Sequence, residues 1–382
     1  MKIAYIGQKG IPTAYGGVER HVEGLSTQMA KLGHEVFVYA RPYYTKTNLK
    51  KYKKVNIINL PSLRTKHFDA ISHTLIASLH ALFKRYDIIH YHGVGPSLLA
   101  FIPRIFKPTA KVITTFHCLD RKHEKWNWLA KKFLTWGEWA ACKFSHQTIA
   151  VSQDIADYCL TRYHRRAVYL PNAVALPDRG RSTDKIKKFG LKSKSYFVIV
   201  SRLIQHKNIE EAIRVFAENP ELKLVIVGDG FYTDDYVKKI KSLAKGCENI
   251  IFTGNQTGEA LEQLYRNALA FVLPSRNEGL SISVLEAMSH KLPVIVRNIP
   301  GHQEFIRQRL VIHYKTENQL ARIVKNLTAK PEPYFKVGAK AFCFIKENYS
   351  WDKVARETDY LYGQFFNGPS LVTMLKRLFN WK

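Results

Sequence analysis

The stretch from residue 271 to residue 304, FVLPSRNEGLSISVLEAMSHKLPVIVRNIPGHQE, narrows the choice of fold more than any other. An apolar run from Ala268 to Leu273 halts at Pro274, as a strand buried in a parallel sheet does. Ser275 to Gly279 is a polar loop with Glu278 at its tip. Ser281 stands where a helix N-cap belongs, and Ile282, Leu285 and Met288 recur behind it at helical spacing. Leu292 to Val296 is the next apolar strand. The loop therefore lies at the carboxyl end of a strand, where open α/β sheets bind ligands. The helix N-terminus beside it offers unpaired N–H groups to an anion. Glu286 follows on the second turn.

The rest of the chain repeats the arrangement. Lys2 to Gly7 reads as a first strand and Gln8 to Gly17 as a loop holding Gly10, Pro12, Gly16 and Gly17. Val18, Val22, Leu25, Met29 and Leu32 form the inward stripe of a helix that stops at Gly33. Val36 to Tyr39 is the next strand. The glycines do not follow G-x-G-x-x-G, so the dinucleotide fingerprint is absent. By themselves they mark an ordinary tight turn. Further strands are expected at 87–91, Lys111 to Phe116, Gln147 to Ser152, Tyr196 to Val200, 224–227 and Ile250 to Thr253. Alternating strands and helices predict an α/β fold. Pro177 to Lys194, with seven basic residues against two acidic ones, reads as a linker. The 382 residues then divide at 1–177 and 178–350, with a helix and an amphipathic basic tail at 351–382.

These residues resemble the retaining nucleotide-sugar glycosyltransferases of family four, whose pattern is E-G-F-G-L-x-x-L-E-A-M followed by G-x-P-V-I and G-G-x-x-E. Glu278-Gly279-Leu280-Ser281-Ile282 meets its start, with Ser281 in place of the second glycine. Glu286-Ala287-Met288, Pro293-Val294-Ile295 and Glu304 follow, with Pro300-Gly301 for G-G. Ser201-Arg202-Leu203 and Lys207-Asn208 are similar to the family's G-R-L-x-x-x-K-G, and Thr115-Phe116-His117 to its T-x-H. The resemblance implies the GT-B fold: two Rossmann-like domains facing each other across a cleft, and a C-terminal helix crossing back to the first. It implies that Arg202 and Lys207 bind the donor diphosphate, with the backbone of Gly279, Leu280, Ser281 and Ile282. Glu286 would accept from ribose hydroxyls, Glu278 would hold the donor sugar, and His117 would face it. Gly16 and Gly17 would line the cleft near the phosphate and the acceptor. The chemistry agrees. A departing nucleoside diphosphate gathers negative charge, which arginine meets as a fork and lysine as a point charge.

The resemblance further implies retention by front-face attack without a protein nucleophile, and transfer to a glycan or polyprenyl-diphosphate-linked acceptor. The first forty residues point to bacterial enzymes of rhamnosyl and related transfers into surface polysaccharides. No D-x-D occurs, so no metal held through that motif is expected, and no cofactor apart from the nucleotide sugar as substrate. A GT-B epimerase or phosphorylase, and a basic nucleic-acid binder on a borrowed fold, are the competing readings.

Lysines and arginines number 59 against 31 acidic residues, a net charge of +28. The charge is spread along the chain. No RRM, KH, helix-turn-helix or zinc-finger pattern accompanies it, so nucleic acid is not the expected partner. An anionic membrane surface is a candidate one, and a general solubility role is the other reading. Basic clusters fall at Lys46 to Lys54, at Arg64, Lys66 and His67, and at Arg121 to Phe133. Trp126, Trp128, Trp136 and Trp139 interleave with the last of these. Such aromatics suit a membrane interface or the core side of an amphipathic helix. The tail Ser370 to Lys382 is open to the same two readings. No apolar run nears the roughly 20 residues of a bilayer span. The apolar start, Met1 to Gly7, is too short for a signal peptide. Five scattered cysteines without a CxxC suit a reducing compartment. A cytoplasmic protein, peripheral on the inner face of the membrane, is the resulting expectation.

Overall fold

In the computed structural model all residues are described except 45–48, 66–67, 123–127, 178–179, 181, 231–232 and 367–382. Lys46, Lys66, His67, Trp126 and the tail from Ser370 lie outside the described residues. The first sheet contains β1 (Lys2–Ile6), β2 (Glu35–Ala40), β3 (Lys51–Tyr52), β4 (Val55–Asn59), β5 (Ile88–His92), β6 (Lys111–Phe116), β7 (Gln147–Ala150) and β8 (Val168–Tyr169). Its order is β3-β4-β2-β1-β5-β6-β7-β8. The second contains β9 (Tyr196–Val200), β10 (Lys223–Val227), β11 (Ile250–Gly254), β12 (Ala270–Leu273), β13 (Val294–Arg297) and β14 (Ile312–Tyr314), in the order β11-β10-β9-β12-β13-β14. Among the described residues only the β3–β4 pairing is antiparallel. These are two Rossmann-like halves. Strands such as YFVIV and AFVL are apolar throughout because helices cover both faces of the sheet.

Strand order places the ligand crevice. Apart from the β3–β4 pair at the edge of the first sheet, the order in each sheet reverses once, between β1 and β5 in the first and between β9 and β12 in the second. Loops at such a switch point diverge and leave a crevice beyond the strand ends. Arg202 and Lys207 follow β9 and Glu278 follows β12. Gly16 and Gly17 follow β1, and His92 ends β5.

Several local expectations are corrected. Residues of the basic loop at Lys46 to Lys54 form β3, a short edge strand. The stretch read as linker contains a helix, Asp184–Lys187, and buries Ile186 and Leu191 in the core cluster of Val198 and Val225. A helix at Glu332–Asn348 was not expected from sequence. Ser281 occupies the N-cap of helix Ile282–Ser289, but its hydroxyl caps no N–H and lies 3.0 Å from Ser283 Oγ.

The reading of the aromatics at 128–139 as core also fails. Trp128 is 69% exposed, and Leu129, Phe133, Trp136 and Trp139 on the same helix, Trp128–Lys143, are exposed as well. That helix buries small residues instead, Gly137, Ala140 and Ala141 among them. The Trp139 ring meets Phe144, and Phe144 meets Phe101 on helix Phe101–Phe106, which exposes Ile105 and Phe106. Among the described residues no helix is long and apolar enough to cross a membrane.

The chain passes between the halves twice. Val174 on the outward pass pairs with Ser350 on the return. Ser350 then caps helix Trp351–Gly363 by accepting from the Lys353 N–H. This helix lies against the first half: Trp351 abuts Gly24, Asp359 meets His34 at 2.8 Å, and Tyr362 Oη lies 2.6 Å from His90 Nδ1.

Candidate functional site

The second half presents two carboxylates, each already in contact with a cation. Glu278 is 10% exposed and lies 2.5 Å from Lys207 Nζ, itself 12% exposed. Burial alone would raise the Glu278 carboxyl, but Lys207, with Ser275 and His302 behind it, holds the group below the usual carboxylate range. The β9 and β12 loops are tied together. Asn208, in the left-handed conformation, donates to Glu211 at 2.6 Å and to the Pro274 carbonyl at 3.3 Å, and the Arg276 N–H donates to the His206 carbonyl at 2.8 Å. Arg202 is exposed on this rim.

Glu286 is not the solvated surface carboxylate that its helical position alone would suggest. Tyr265 Oη donates to its Oε2 at 2.8 Å, and Arg20, from the first half, pairs with its Oε1. Arg20 sits on helix Gly17–Lys31, so this ion pair spans the cleft.

The first half comes very close at Gly279. A Cβ there would fall 2.0 Å from the His117 carbonyl oxygen, so only glycine fits. Asn172 Nδ2 donates to the Leu280 carbonyl at 2.7 Å. Gly16 begins the first-half helix at φ 107°, a conformation that favours glycine, and Glu19 fills the place of its missing side chain. Above Gly17 a Cβ would meet nothing, so the space there is open. The His117 side chain is buried, with Nε2 3.2 Å from His92 Nδ1. Burial lowers the pKa of both imidazoles well below the usual range.

A cleft of ≈ 790 Å³, counting the part open to solvent, lies between the halves. Leu119, Asp154 and Ile155 line it from one side, and His206, Arg276, Glu278 and Pro300 from the other. The expected residues thus come together as two groups, Glu278 with Lys207 on the cleft wall and Glu286 with Arg20 bridging it.

Two family models match the chain, Glycosyltransferase Family 4 over residues 15–176 and Glycosyl transferases group 1 over residues 181–342. The chain belongs to the family 4, group 1 glycosyltransferases. This glycosyltransferase is 25% identical to an uncharacterised glycosyltransferase of Methanocaldococcus jannaschii, over 95% of this chain and 98% of that one. It is 28% identical to an Escherichia coli UDP-Gal:alpha-D-GlcNAc-diphosphoundecaprenol alpha-1,3-galactosyltransferase, over 61% of this chain and 63% of that protein. The fold matches that of an Anabaena protein, HepE, in complex with UDP-glucose, with a TM-score of 0.79 at 17% identity, covering 95% and 99% of the two chains.

Three groups of the glycosyltransferase escape a reading by motif. Lys9, after β1, carries its ammonium over the Tyr15 ring at 4.5 Å. Burial lowers its pKa to about 8, Glu19 opposes this, and Arg202 across the cleft adds to the lowering. Arg20 reads in sequence as an ordinary helix-surface arginine, and His21 beside it is buried. The available signal was position: all three lie within the loop or the first turns after β1, at a switch point. Glu304, a motif residue, bridges the halves through Tyr169 at 2.8 and 3.0 Å, with Tyr349 at 2.5 Å.

Proposed function

We propose that the glycosyltransferase moves a hexosyl or deoxyhexosyl group from a nucleotide sugar to a glycan or lipid-diphosphate acceptor in surface-polysaccharide synthesis. The observation that carries this reading is the convergence of Arg202, Lys207 and Glu278 on the β9–β12 switch point, with Glu286 one helical turn and a half beyond. The relatives agree with it: the E. coli enzyme is named for a UDP-galactose donor and a lipid-diphosphate acceptor, and the Anabaena protein was solved with UDP-glucose.

In this reading the diphosphate lies across Arg202, Lys207 and the backbone N–H groups from Gly279 to Ile282. Lys207 then leaves Glu278 for the phosphate, which frees the carboxylate to accept from sugar hydroxyls. Glu286 exchanges Arg20 for the ribose. The cations meet charge that grows as the glycosidic bond breaks, so they favour the transition state over the bound donor. Closure of the cleft excludes water, which would otherwise hydrolyse the donor. The acceptor hydroxyl attacks from the face the diphosphate leaves. The configuration is retained, without a metal or a protein nucleophile. The deoxyhexosyl option includes rhamnose.

The exposed tryptophan helix and its neighbours suit an acceptor held at an anionic membrane surface. Exposed Lys131, Lys132 and Lys143 share that helix with the aromatics. The enzyme would then act at the inner face of the membrane.

A thermal-shift screen of nucleoside diphosphates and nucleotide sugars in EDTA tests the donor site. At least one nucleotide is expected to stabilise the wild type, by about 2.7 kcal/mol at a hundredfold excess over Kd, and the same nucleotide is expected to leave Glu286→Ala unchanged. No stabilising nucleotide in the whole panel would refute the assignment.

A further inference from the structure

Three histidines from three elements meet beneath the cleft. His21 comes from the second turn of helix Gly17–Lys31, His92 ends β5, and His117 follows β6. All are buried, and one nitrogen from each lies within 4.8 Å of the others. Neutral imidazole is a preferred ligand of zinc and related divalent transition metals. Three such ligands and one open position form a recurrent zinc arrangement.

The hydrogen bonds prepare the rings for that role. Asn172 Nδ2 donates to the Leu280 carbonyl, so its Oδ1 faces His21 and accepts from Nδ1 at 2.8 Å. That leaves the lone pair of His21 on Nε2. A metal-bound imidazole usually donates its far N–H to a carboxylate, a backbone carbonyl or water, and the Asn172 Oδ1 offers His21 an acceptor of the same kind. His92 Nδ1 and His117 Nε2 stand 3.2 Å apart and share one proton. Zinc–nitrogen bonds of about 2.1 Å at tetrahedral angles separate two ligand nitrogens by about 3.4 Å. A metal ion can therefore take the place of the shared proton, which moves to the far nitrogen of the ring that carried it, so that both imidazoles stay neutral and the rings move little. The farthest pair of nitrogens, within 4.8 Å, has about 1.4 Å to close. His92 Nε2 is buried without any hydrogen-bond partner. No partner therefore fixes the state of Nε2, which can carry the ring's proton while Nδ1 binds the ion. The remaining neighbour, His90, is occupied: its nitrogens meet Thr115 Oγ1 at 2.7 Å and Tyr362 Oη at 2.6 Å.

We propose that His21, His92 and His117 form a binding site for a divalent transition metal ion of the zinc class, with water as the fourth ligand. Occupancy ties His117 to the floor of the first half and links helix Gly17–Lys31 to the β5 and β6 ends. The test uses no nucleotide, so its outcome does not depend on the donor-site reading. The full chain is stripped with EDTA, equilibrated with ZnCl2, desalted and assayed for zinc by mass spectrometry. The wild type, and His313→Gln on the exposed face of β14, should retain one zinc per chain more than His92→Gln and His21→Gln. Added Co2+ should give the intense visible bands of a four-coordinate centre, lost in His92→Gln and His21→Gln. Equal zinc in all four proteins, or a weak six-coordinate cobalt spectrum in the wild type, would overturn the site. If His92→Gln fails to fold by circular dichroism, His21→Gln decides, because glutamine can still donate to Asn172.

Discussion

At the scale of single residues, the cleft is organised by charges that neutralise one another before any substrate arrives. Glu278 and Lys207 illustrate the energetics. Removing one partner of a buried pair leaves the other uncompensated, at about 3–5 kcal/mol; both side chains border the cleft, so the lower end applies. Lys207→Ala should therefore lower the melting temperature at pH 7. The sign with pH follows from the depressed Glu278 pKa. In the wild type the pair contributes stability above the ordinary carboxyl range and loses it as pH falls through the folded pKa. In the variant burial is opposed only by Ser275 and His302, so the ionised carboxylate loses its main partner and protonation removes more of the penalty. The gap in melting temperature between the two proteins should shrink as pH falls from 7 to 4. A constant gap would show that Lys207 does not act through Glu278. Arg202, Lys207 and Glu278 stood out in the sequence through their match to the family pattern, and the structure sets them after β9 and β12. Arg20, His21 and Lys9 were not, because nothing in a single helix or loop says which residues face another domain.

Elements were legible to the degree that their apolar periodicity was strong. β6 and β9 fall at the residues expected. Helix Glu332–Asn348 went unseen because its buried stripe is thin and mostly small: Gly338, Ala341 and Ile345. The tryptophans of helix Trp128–Lys143 misled in the opposite way, since periodicity locates an apolar stripe and cannot say whether protein or another medium covers it. Gly24 tests the packing of elements. It lies inside helix Gly17–Lys31, where alanine is the better helix former by about 1 kcal/mol. Yet a Cβ there would fall 2.2 Å from the Trp351 ring, which is too rigid to yield at its edge. Overpacking costs about 1–3 kcal/mol, so Gly24→Ala should destabilise on balance. Chemical denaturation should show a lower midpoint, and the double variant Gly24→Ala with Trp351→Leu should recover part of it.

At the scale of the whole molecule, the net charge of +28 acquires a direction from the exposed aromatic face. Co-sedimentation with vesicles containing anionic lipid should be strong at low salt and fall as salt screens the basic side chains. Trp136→Ala combined with Phe133→Ala should weaken it about tenfold or more at fixed salt, given roughly 1.5–3 kcal/mol for each large apolar group transferred. Equal binding by wild type and variant would assign the attachment to charge alone.

The paired passes of chain at Val174 and Ser350 carry a mechanical consequence. A single tether lets two bodies swivel about any axis. Two tethers fastened side by side act like two pins of a door and leave one easy swing, about the line that joins them. Lateral sliding and twisting of the halves are resisted by the covalent backbone. The motion of this enzyme therefore has essentially one coordinate, and a single pair of fluorophores across the cleft is enough to follow it.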